Sequence, residues 1–225
     1  MLKTINMERH LRALEGIYEL LTYSTENKKY KPDEFTGYFI WNIPAIVTCP
    51  YRTPHCEKDC YALKAERAYP DVLPSRYRHL EETKRDDFVN RMVLTILERR
   101  KNMRKPELTV RIHESGDFYS EEYADKWLRI ADTVKDEAII FKCYTKSARF
   151  FDGKKLPPNF RLRFSVWDDT PEEELEIARR NGWPIYTAVE KFEKNDGYAH
   201  CKCINCTKCK MCENMDIKKI ACEIH

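Results

Sequence analysis

The sequence predicts an α/β protein, an open or partial βα barrel followed by a cysteine-rich, metal-binding tail. Five short segments rich in apolar, β-branched and aromatic residues alternate with stretches of helical periodicity, which is typical of parallel strands joined by crossover helices. The predicted strands are residues 38–47, 108–112, 139–145, 161–167 and 184–189. Five strands are too few to close an eightfold barrel, so we expect the sheet to stay open. The periodicity is lost from residue 195 onward, where cysteines dominate.

Helices are predicted before and between these strands. A helical pattern of apolar residues leads into the first strand, and two later helices begin with good capping residues and acidic first turns. The predicted helices are residues 7–23, 75–102, 120–134 and 170–181, and none is expected over residues 146–159. The chain is therefore divided into residues 1–37 (helix and connector), 38–194 (partial barrel with a metal-binding loop) and 195–225 (cysteine-rich extension).

Composition limits the class of protein. Forty basic and 37 acidic residues give a net charge of only +3, so there is no strong case for nucleic-acid binding. The first residues are charged and lack the apolar run of a signal peptide, and no segment is long enough to span a bilayer. We therefore expect a soluble cytoplasmic protein without a membrane partner, in which thiols stay reduced.

The first cysteine cluster consists of Cys49, Cys56 and Cys60, which follow the first predicted strand in a C-x6-C-x3-C pattern. Ligands of βα folds bind beyond the carboxyl ends of the strands. A structural zinc ion normally takes four protein ligands, whereas a [4Fe–4S] cluster held by three thiolates leaves one iron open. The pattern favours the open cluster. There are two alternatives. The cysteines could bind zinc with His55 as the fourth ligand, or they could be ordinary buried thiols that bind no metal.

The second cluster lies in the tail. Two-residue gaps between its cysteines are typical of iron–sulfur ligation, and thiolates also bind zinc. The predicted ligands of an auxiliary [4Fe–4S] cluster, or alternatively of zinc, are Cys203, Cys206, Cys209 and Cys212. Further candidate ligands are Cys201, Cys222, His200 and His225. Cys143 lies within an apolar run and is expected to be a buried small side chain.

Several motifs together resemble the gene-product-88 phage family. They are Trp41-Asn-Ile-Pro-Ala, Cys49-Pro, Cys60-Tyr-Ala, Arg111-Ile-His-Glu-Ser-Gly-Asp-Phe, Tyr144-Thr-Lys-Ser and the cysteine-rich tail that ends in His225. The resemblance covers residues 38–225 and implies a partial barrel of radical S-adenosylmethionine (SAM) type. The spacing departs from the common C-x3-C-x2-C pattern, and the aromatic Tyr61 follows the last cysteine rather than preceding it.

The resemblance also implies an activity. Members of the family include a queuine lyase, which releases the 7-deazaguanine base queuine from queuosine 5′-phosphate. By analogy, a [4Fe–4S] cluster on Cys49, Cys56 and Cys60 would bind SAM, and an electron donor such as flavodoxin or ferredoxin would reduce it. The substrate would be a nucleoside- or nucleotide-like small molecule.

Polar residues at the ends of the predicted strands are the candidate site residues. The loop after the second strand offers two carboxylates and a glycine, and it resembles the loop that receives the SAM amine in the wider superfamily. The alternative is a polar turn that caps the next helix. The predicted catalytic residues are Glu114, Asp117 and Lys146, and the predicted cofactor-binding residues are Glu114, Ser115, Tyr144, Ser165 and Trp167.

A different class of function remains open at this point. Both cysteine clusters could be structural zinc sites in a module that docks nucleic acid or protein without catalysis. Basic residues in the tail would supply its surface, namely Lys202, Lys208, Lys210, Lys218 and Lys219. The three-cysteine count of the first cluster favours the enzyme, because a structural site gains nothing from an open coordination position.

Overall fold

The computed structural model describes residues 20–23, 35–194, 196–202 and 205–224, and within them it shows one open, largely parallel sheet. The strands are β1 (Thr22–Tyr23), β2 (Thr36–Trp41), β3 (Glu107–Ile112), β4 (Ile139–Thr145), β5 (Phe160–Val166), β6 (Ile185–Val189), β7 (Ala199–Cys201) and β8 (Lys219–Glu223). Their order is β1-β2-β3-β4-β5-β6-β8-β7. β1 pairs antiparallel with β2, and all the other pairs are parallel. The described strands thus confirm an open α/β sheet.

Seven α-helices are described, together with one 3₁₀ turn at Ala148–Phe150 in the segment predicted to lack a helix. They are α1 (Pro54–Lys58), α2 (Tyr61–Ala68), α3 (Val72–Thr83), α4 (Phe88–Asn102), α5 (Glu121–Thr133), α6 (Glu172–Arg180) and α7 (Cys206–Cys209). Within the described ranges, no helix has the length and apolar character that crossing a membrane requires.

The first long strand is shorter than the sequence predicts. β2 ends at Trp41 rather than at residue 47, and a turn over residues 45–48 follows it. Pro44 lacks a backbone donor, and Ile46 adopts a left-handed φ of 65°, so the chain leaves the sheet despite its apolar residues. Cys49 consequently lies after a compact turn and not directly at the strand end.

The helix predicted over residues 75–102 is two helices. α3 ends at Thr83 and α4 begins at Phe88. Thr83 donates its hydroxyl proton to the Leu80 carbonyl at 2.6 Å, and Arg85 pairs with Asp87 at 2.8 Å within the intervening turn. These local bonds compete with helix continuation, although the apolar periodicity runs through the break.

The two faces of the sheet differ in chemistry. One face is apolar and packs against the helices, with Trp41 in contact with Phe88 and Trp127. The other face, called the polar face here, carries Arg111, Lys142 and Arg163, which are only 7%, 1% and 1% exposed. Parallel register pairs Arg111 with Lys142 and Tyr144 with Arg163, so these side chains share one face. A row of buried cations therefore lines the polar face of the open sheet.

The tail covers the polar face. β8 inserts between β6 and β7 and extends the sheet. Glu213 accepts a hydrogen bond from Tyr38 and lies 3.7 Å from the Lys142 ammonium. Strand pairing thus joins part of the tail to the sheet, although the sequence shows no strand or helix periodicity there.

Only residues 20–23 of the helix predicted over residues 7–23 are among the described residues. Leu20 and Leu21 are buried, and Thr22–Tyr23 form a strand rather than the end of a helix. The rest of the helix predicted over residues 7–23 lies outside the described residues.

Candidate active site

Asn42 joins the loops that follow β2 and β3 at the carboxyl edge of the sheet. Its side-chain oxygen accepts hydrogen bonds from the backbone N–H groups of Glu114 and Ser115 at 2.7 and 3.0 Å. Ser115 in turn donates its hydroxyl proton to the Ile43 carbonyl at 2.9 Å. These hydrogen bonds attach the loop after β3, residues 113–117, to the segment that follows β2. Ser115 is buried, and its hydroxyl group is used in the hydrogen bond to the Ile43 carbonyl.

Gly116 allows this loop to touch the turn that leads to Cys49. Its φ is +81°, and an added Cβ would lie 2.4 Å from Cγ1 of Ile43 and 2.6 Å from Oγ1 of Thr48. No larger residue fits without moving the turn.

We expect Gly116→Ala to lower the free energy of unfolding by about 3 kcal/mol, because left-handed strain and steric overlap act together. Gly182→Ala is the matched control. Gly182 has a similar φ of +64° but no atom within 4 Å of the added Cβ, so it should cost only about 1 kcal/mol. Urea unfolding measures both values, and equal losses would contradict the close approach at Gly116.

Asp117 connects the β3 loop to the end of β4. It accepts hydrogen bonds from the Thr145 hydroxyl at 2.6 Å and from the Lys146 backbone N–H at 2.8 Å. Burial raises the pKa of its carboxyl, although these hydrogen bonds act in the opposite direction. Its bonds fix the chain at the point where the Lys146 side chain leaves the strand. Asp117 is therefore a positioning residue in this structure.

The three cysteines of the first cluster lie around this edge. Cys56 is in the first turn of α1, where its N–H donates to the Thr53 hydroxyl, and Cys60 immediately precedes α2. Burial, followed by the charge of Asp117, raises the pKa of the Cys49 thiol to about 12. Cys56 interacts electrostatically with both Cys49 and Cys60. Cys56 therefore lies near both of the other thiols.

Lys146 lies beside Cys56. Burial raises the pKa of the Cys56 thiol, whereas the charge of Lys146 and a hydrogen bond from its ammonium lower it. The same Nζ donates to the Ser165 hydroxyl at 3.0 Å and lies 6.0 Å from the centre of the Trp167 ring. The structure therefore brings the predicted residues Lys146, Ser165 and Trp167 together at the cysteine loop. A cation here favours thiolate over thiol.

A second contact ties the cysteine loop to the end of β5. His55 Nδ1 lies 2.6 Å from an Asp168 oxygen, and the His55 backbone N–H donates to Asp169 at 2.8 Å. The His55 ring also contacts Trp167 at a centroid distance of 4.8 Å. The ligand atoms of His55, Asp168 and Asp169 lie within 4.8 Å of one another. The carboxylates of Asp168 and Asp169 thus hold α1 in place. Their position just before α6 in the sequence did not indicate this role.

We expect Asp168→Asn to lower the pKa of His55 toward its ordinary value of 6.5. The hydrogen bond to Asp168 is the largest cause of the raised pKa. The stabilising contribution of protonated His55 is therefore complete below pH 6.5 and is lost as the pH rises through the raised pKa. An NMR titration of the imidazole resonances measures the shift. His79, whose pKa is lowered by burial, is the internal control. An unchanged His55 titration would contradict the contact.

Tyr144 and Glu114 contact Arg111 and Tyr61, respectively. The Arg111 guanidinium lies 4.0 Å from the centre of the Tyr144 ring on the polar face. The Tyr144 ring also meets the Tyr186 ring at a centroid distance of 4.7 Å. The Glu114 carbonyl accepts a hydrogen bond from the Tyr61 hydroxyl beside Cys60. Arg111 is a buried cation that was not among the site residues predicted from the sequence. Its position at the start of the Arg111-Ile-His motif was a signal that could have identified it.

The tail forms a second thiol-lined site. Cys201, Cys206, Cys209 and Cys212 line a cavity of about 430 Å³. The structure shows no disulfide among the cysteines that it describes. Cys203 and His225, which the sequence proposed as ligands, lie outside the described residues.

The other candidate ligands of the tail occupy different settings. Cys222 pairs with Cys201 across β7 and β8. The His200 ring lies 2.9 Å from an Asp196 oxygen and stacks on Phe192. Cys143 is fully buried on the apolar face, as predicted.

Arg163 anchors the tail. Its guanidinium donates to the backbone carbonyls of Cys212 at 2.8 Å, Ile217 at 2.7 Å, Asn214 at 2.6 Å and Met211 at 3.2 Å. The buried Arg163 side chain thus supplies hydrogen-bond donors to the backbone carbonyls of the turn that carries Cys212. The alternation of Arg161 and Arg163 with apolar residues in β5 was a visible signal for this role.

Comparison with known proteins gives the family of the chain. The profile of the family described as "Gene product 88" matches residues 19–219. The Gene 88 protein of Mycobacterium phage D29 is 31% identical over 141 residues, covering 59% of this chain and 55% of the phage protein. The Gene 88 protein of Mycobacterium phage L5 is 31% identical over 140 residues, covering 59% and 56%. The matched segment thus spans little more than half the length of these relatives. No solved structure matches the chain.

Proposed function

We propose that this chain, which belongs to the gene product 88 family, is a radical SAM enzyme that acts on a nucleoside- or nucleotide-like substrate. One observation carries the proposal. Three cysteines of one short segment, residues 49–60, lie at the carboxyl edge of an open parallel sheet, and Lys146 acts electrostatically on two of them, Cys49 and Cys56. This edge is where βα folds bind their ligands.

The residues of the first cluster suit a [4Fe–4S] cluster with one open iron. Cys49, Cys56 and Cys60 supply three soft thiolate donors, and Lys146 offsets part of their negative charge. The turn after β2, Gly116 and the His55 contact hold the loop in place. When bound, such a cluster and SAM supply a 5′-deoxyadenosyl radical that abstracts a hydrogen atom from the substrate.

The remaining residues are assigned roles that follow from their positions. Glu114, on the locked β3 loop beside Tyr61 and Cys60, is the carboxylate proposed to receive the SAM amine. Trp167 presents an aromatic surface to an adenine or a substrate base. Asp117 orients Lys146 through the backbone.

The polar face supports an anionic substrate. Arg111 is buried, and its guanidinium packs against the Tyr144 ring. A guanidinium held in this way recognises phosphate well. The resemblance to the gene-product-88 family supplies the specific reaction that we propose, queuine release from queuosine 5′-phosphate in the cytoplasm with flavodoxin or ferredoxin as the electron donor, and a buried arginine is compatible with its phosphate.

Anaerobic purification followed by iron, sulfide and zinc analysis tests the proposal first. We expect a brown protein that, after reduction with dithionite, converts SAM to methionine and 5′-deoxyadenosine. We expect queuosine 5′-phosphate to increase this turnover and to yield queuine, with guanosine 5′-phosphate as the matched control. A colourless protein with stoichiometric zinc and no iron after reconstitution would contradict the proposal and favour the zinc-binding docking module.

A further inference from the structure

Exposed apolar and aromatic side chains are concentrated around the first cysteine cluster. Among the described residues, five large side chains of this kind are exposed, and four of them lie within residues 47–77. They are Val47, Tyr61, Tyr69 and Tyr77, with exposed fractions of 44–63%. Val47 precedes Cys49 by two residues, and Tyr61 directly follows Cys60. Exposed apolar area gathered beside a functional segment is typical of a surface that contacts another protein.

Hydrogen bonds join the elements that carry these side chains. The Ala45 N–H donates to a Glu66 oxygen at 3.0 Å, which attaches the turn with Val47 to α2. Tyr61 donates its hydroxyl proton to the Glu114 carbonyl, so its exposed ring bridges α2 and the β3 loop. The turn and α2 thus form one continuous surface beside the cysteines.

The charges on this surface are unevenly distributed. The three carboxylates of residues 54–68 each lie beside a basic group, in the pairs Glu57 with Arg52, Asp59 with His55 and Glu66 with Arg76. Lys58, Lys64 and Arg67 of the same segment are exposed. The charge that faces outward is therefore mainly positive. The docking face, as it is called below, consists of Val47, Lys58, Tyr61, Lys64, Arg67 and Tyr69.

We propose that the docking face binds an acidic electron-carrier protein, which reduces the first cluster. The inference rests on the proposed function, because a redox-active cluster on Cys49, Cys56 and Cys60 requires an electron from outside the chain. One electron passes from the carrier, which is oxidised, to the cluster, which is reduced, and no proton or group is transferred.

The composition of the docking face suits this kind of partner. Protein interfaces place apolar and aromatic side chains at the centre and charged ones at the rim. Complexes of electron carriers are among the smallest and most transient, so a face of six residues beside the cysteines is adequate. Cations at the rim attract an acidic protein and raise its association rate.

Charge also distinguishes this partner from the alternatives. A second copy of this chain bound through the same face would bring like charges together, which is unfavourable. A nucleic acid would find only about three cations for its phosphates, too few for tight binding at physiological salt. The exposed Val47 and Tyr69 side chains would have no counterpart on a phosphate backbone.

Binding of an acidic flavodoxin in its oxidised form, measured by calorimetry at low salt, tests the docking face without SAM chemistry. We expect Lys64→Glu/Arg67→Glu to raise Kd about tenfold or more. Lys101→Glu/Arg104→Glu is the matched control. It makes the same change in charge at exposed positions beside the amino edge of the sheet, between α4 and β3, and should change Kd less than about twofold. Equal changes in the two variants, or no binding by the unmodified chain, would overturn the proposal.

Tyr69→Ala separates the apolar contribution from the charged one. We expect it to raise Kd about fivefold while the salt dependence of binding stays that of the unmodified chain. Raising salt from about 50 to about 300 mM should weaken binding by the unmodified chain and have less effect on Lys64→Glu/Arg67→Glu. Binding that does not depend on salt would overturn the proposal. An RNA that binds the same face more tightly than flavodoxin would overturn it in favour of a nucleic-acid partner.

Two electron sources separate this proposal from the proposed function. With dithionite, Lys64→Glu/Arg67→Glu should cleave SAM as fast as the unmodified protein. With flavodoxin and its reductase, the rate should fall about tenfold or more. Unchanged rates with flavodoxin would overturn the docking face and leave the enzyme assignment intact. No cleavage by the unmodified protein with either source would contradict the proposed function, and the electron-carrier role would fall with it.

Discussion

Cys56→Ala is expected to reduce SAM cleavage to the background rate and to change the free energy of unfolding by less than about 1 kcal/mol. Cys56 is the thiol of the first cluster that accepts a hydrogen bond from the Lys146 ammonium. It is only partly buried on the short helix α1, so the substitution leaves no large cavity. Cleavage is measured as 5′-deoxyadenosine formed under dithionite, alongside thermal unfolding.

Cys143→Ala is the control for the loss of a thiol in general. Cys143 is buried on the apolar face of β4. Its replacement should lower stability by about 1 kcal/mol yet leave cleavage and iron at the first site unchanged. Cleavage that survives in Cys56→Ala would show that this thiol does not hold the cluster.

Arg163→Met should lower the free energy of unfolding by about 3–5 kcal/mol. The substitution removes four hydrogen bonds to the carbonyls of Met211, Cys212, Asn214 and Ile217, of which Asn214 keeps its bond from the Ile217 N–H. We expect hydrogen exchange to accelerate first in residues 211–217, because this turn has lost its anchor.

Arg161→Met is the matched control on the same strand. Arg161 is only partly buried and lies at the beginning of β5, two residues before Arg163. The change should alter stability by about 0.5 kcal/mol or less. Similar losses for the two arginines would contradict a specific anchoring role for Arg163.

The sequence predicts the core strands well because their apolar faces are continuous. β3 and β4 begin within one residue of the predicted bounds and end on them, and β5 and β6 agree within one residue at each end. The charged residues inside these strands carried further information. Arg111, Lys142 and Arg163 alternate with apolar neighbours, a pattern that indicates a second, polar face of the sheet.

The missed features depend on contacts between distant parts of the chain. The hydrogen bonds from the β3 loop to Asn42 join residues more than seventy positions apart. No local sequence pattern distinguishes such an asparagine from one in a simple turn. The strands of the tail are short, and β8 becomes a strand because β6 offers it a partner. Tertiary pairing here overrides weak local propensity.

The position of β8 between β6 and β7 dictates an order of assembly. β7 precedes β8 in the chain, yet it joins the sheet only through β8. The thiol-bearing segment between them therefore remains outside the sheet until β8 has docked. Long-range pairing of this kind closes a large loop and is slow. A change that prevents β8 from pairing with β6 would therefore release β7 from the sheet as well.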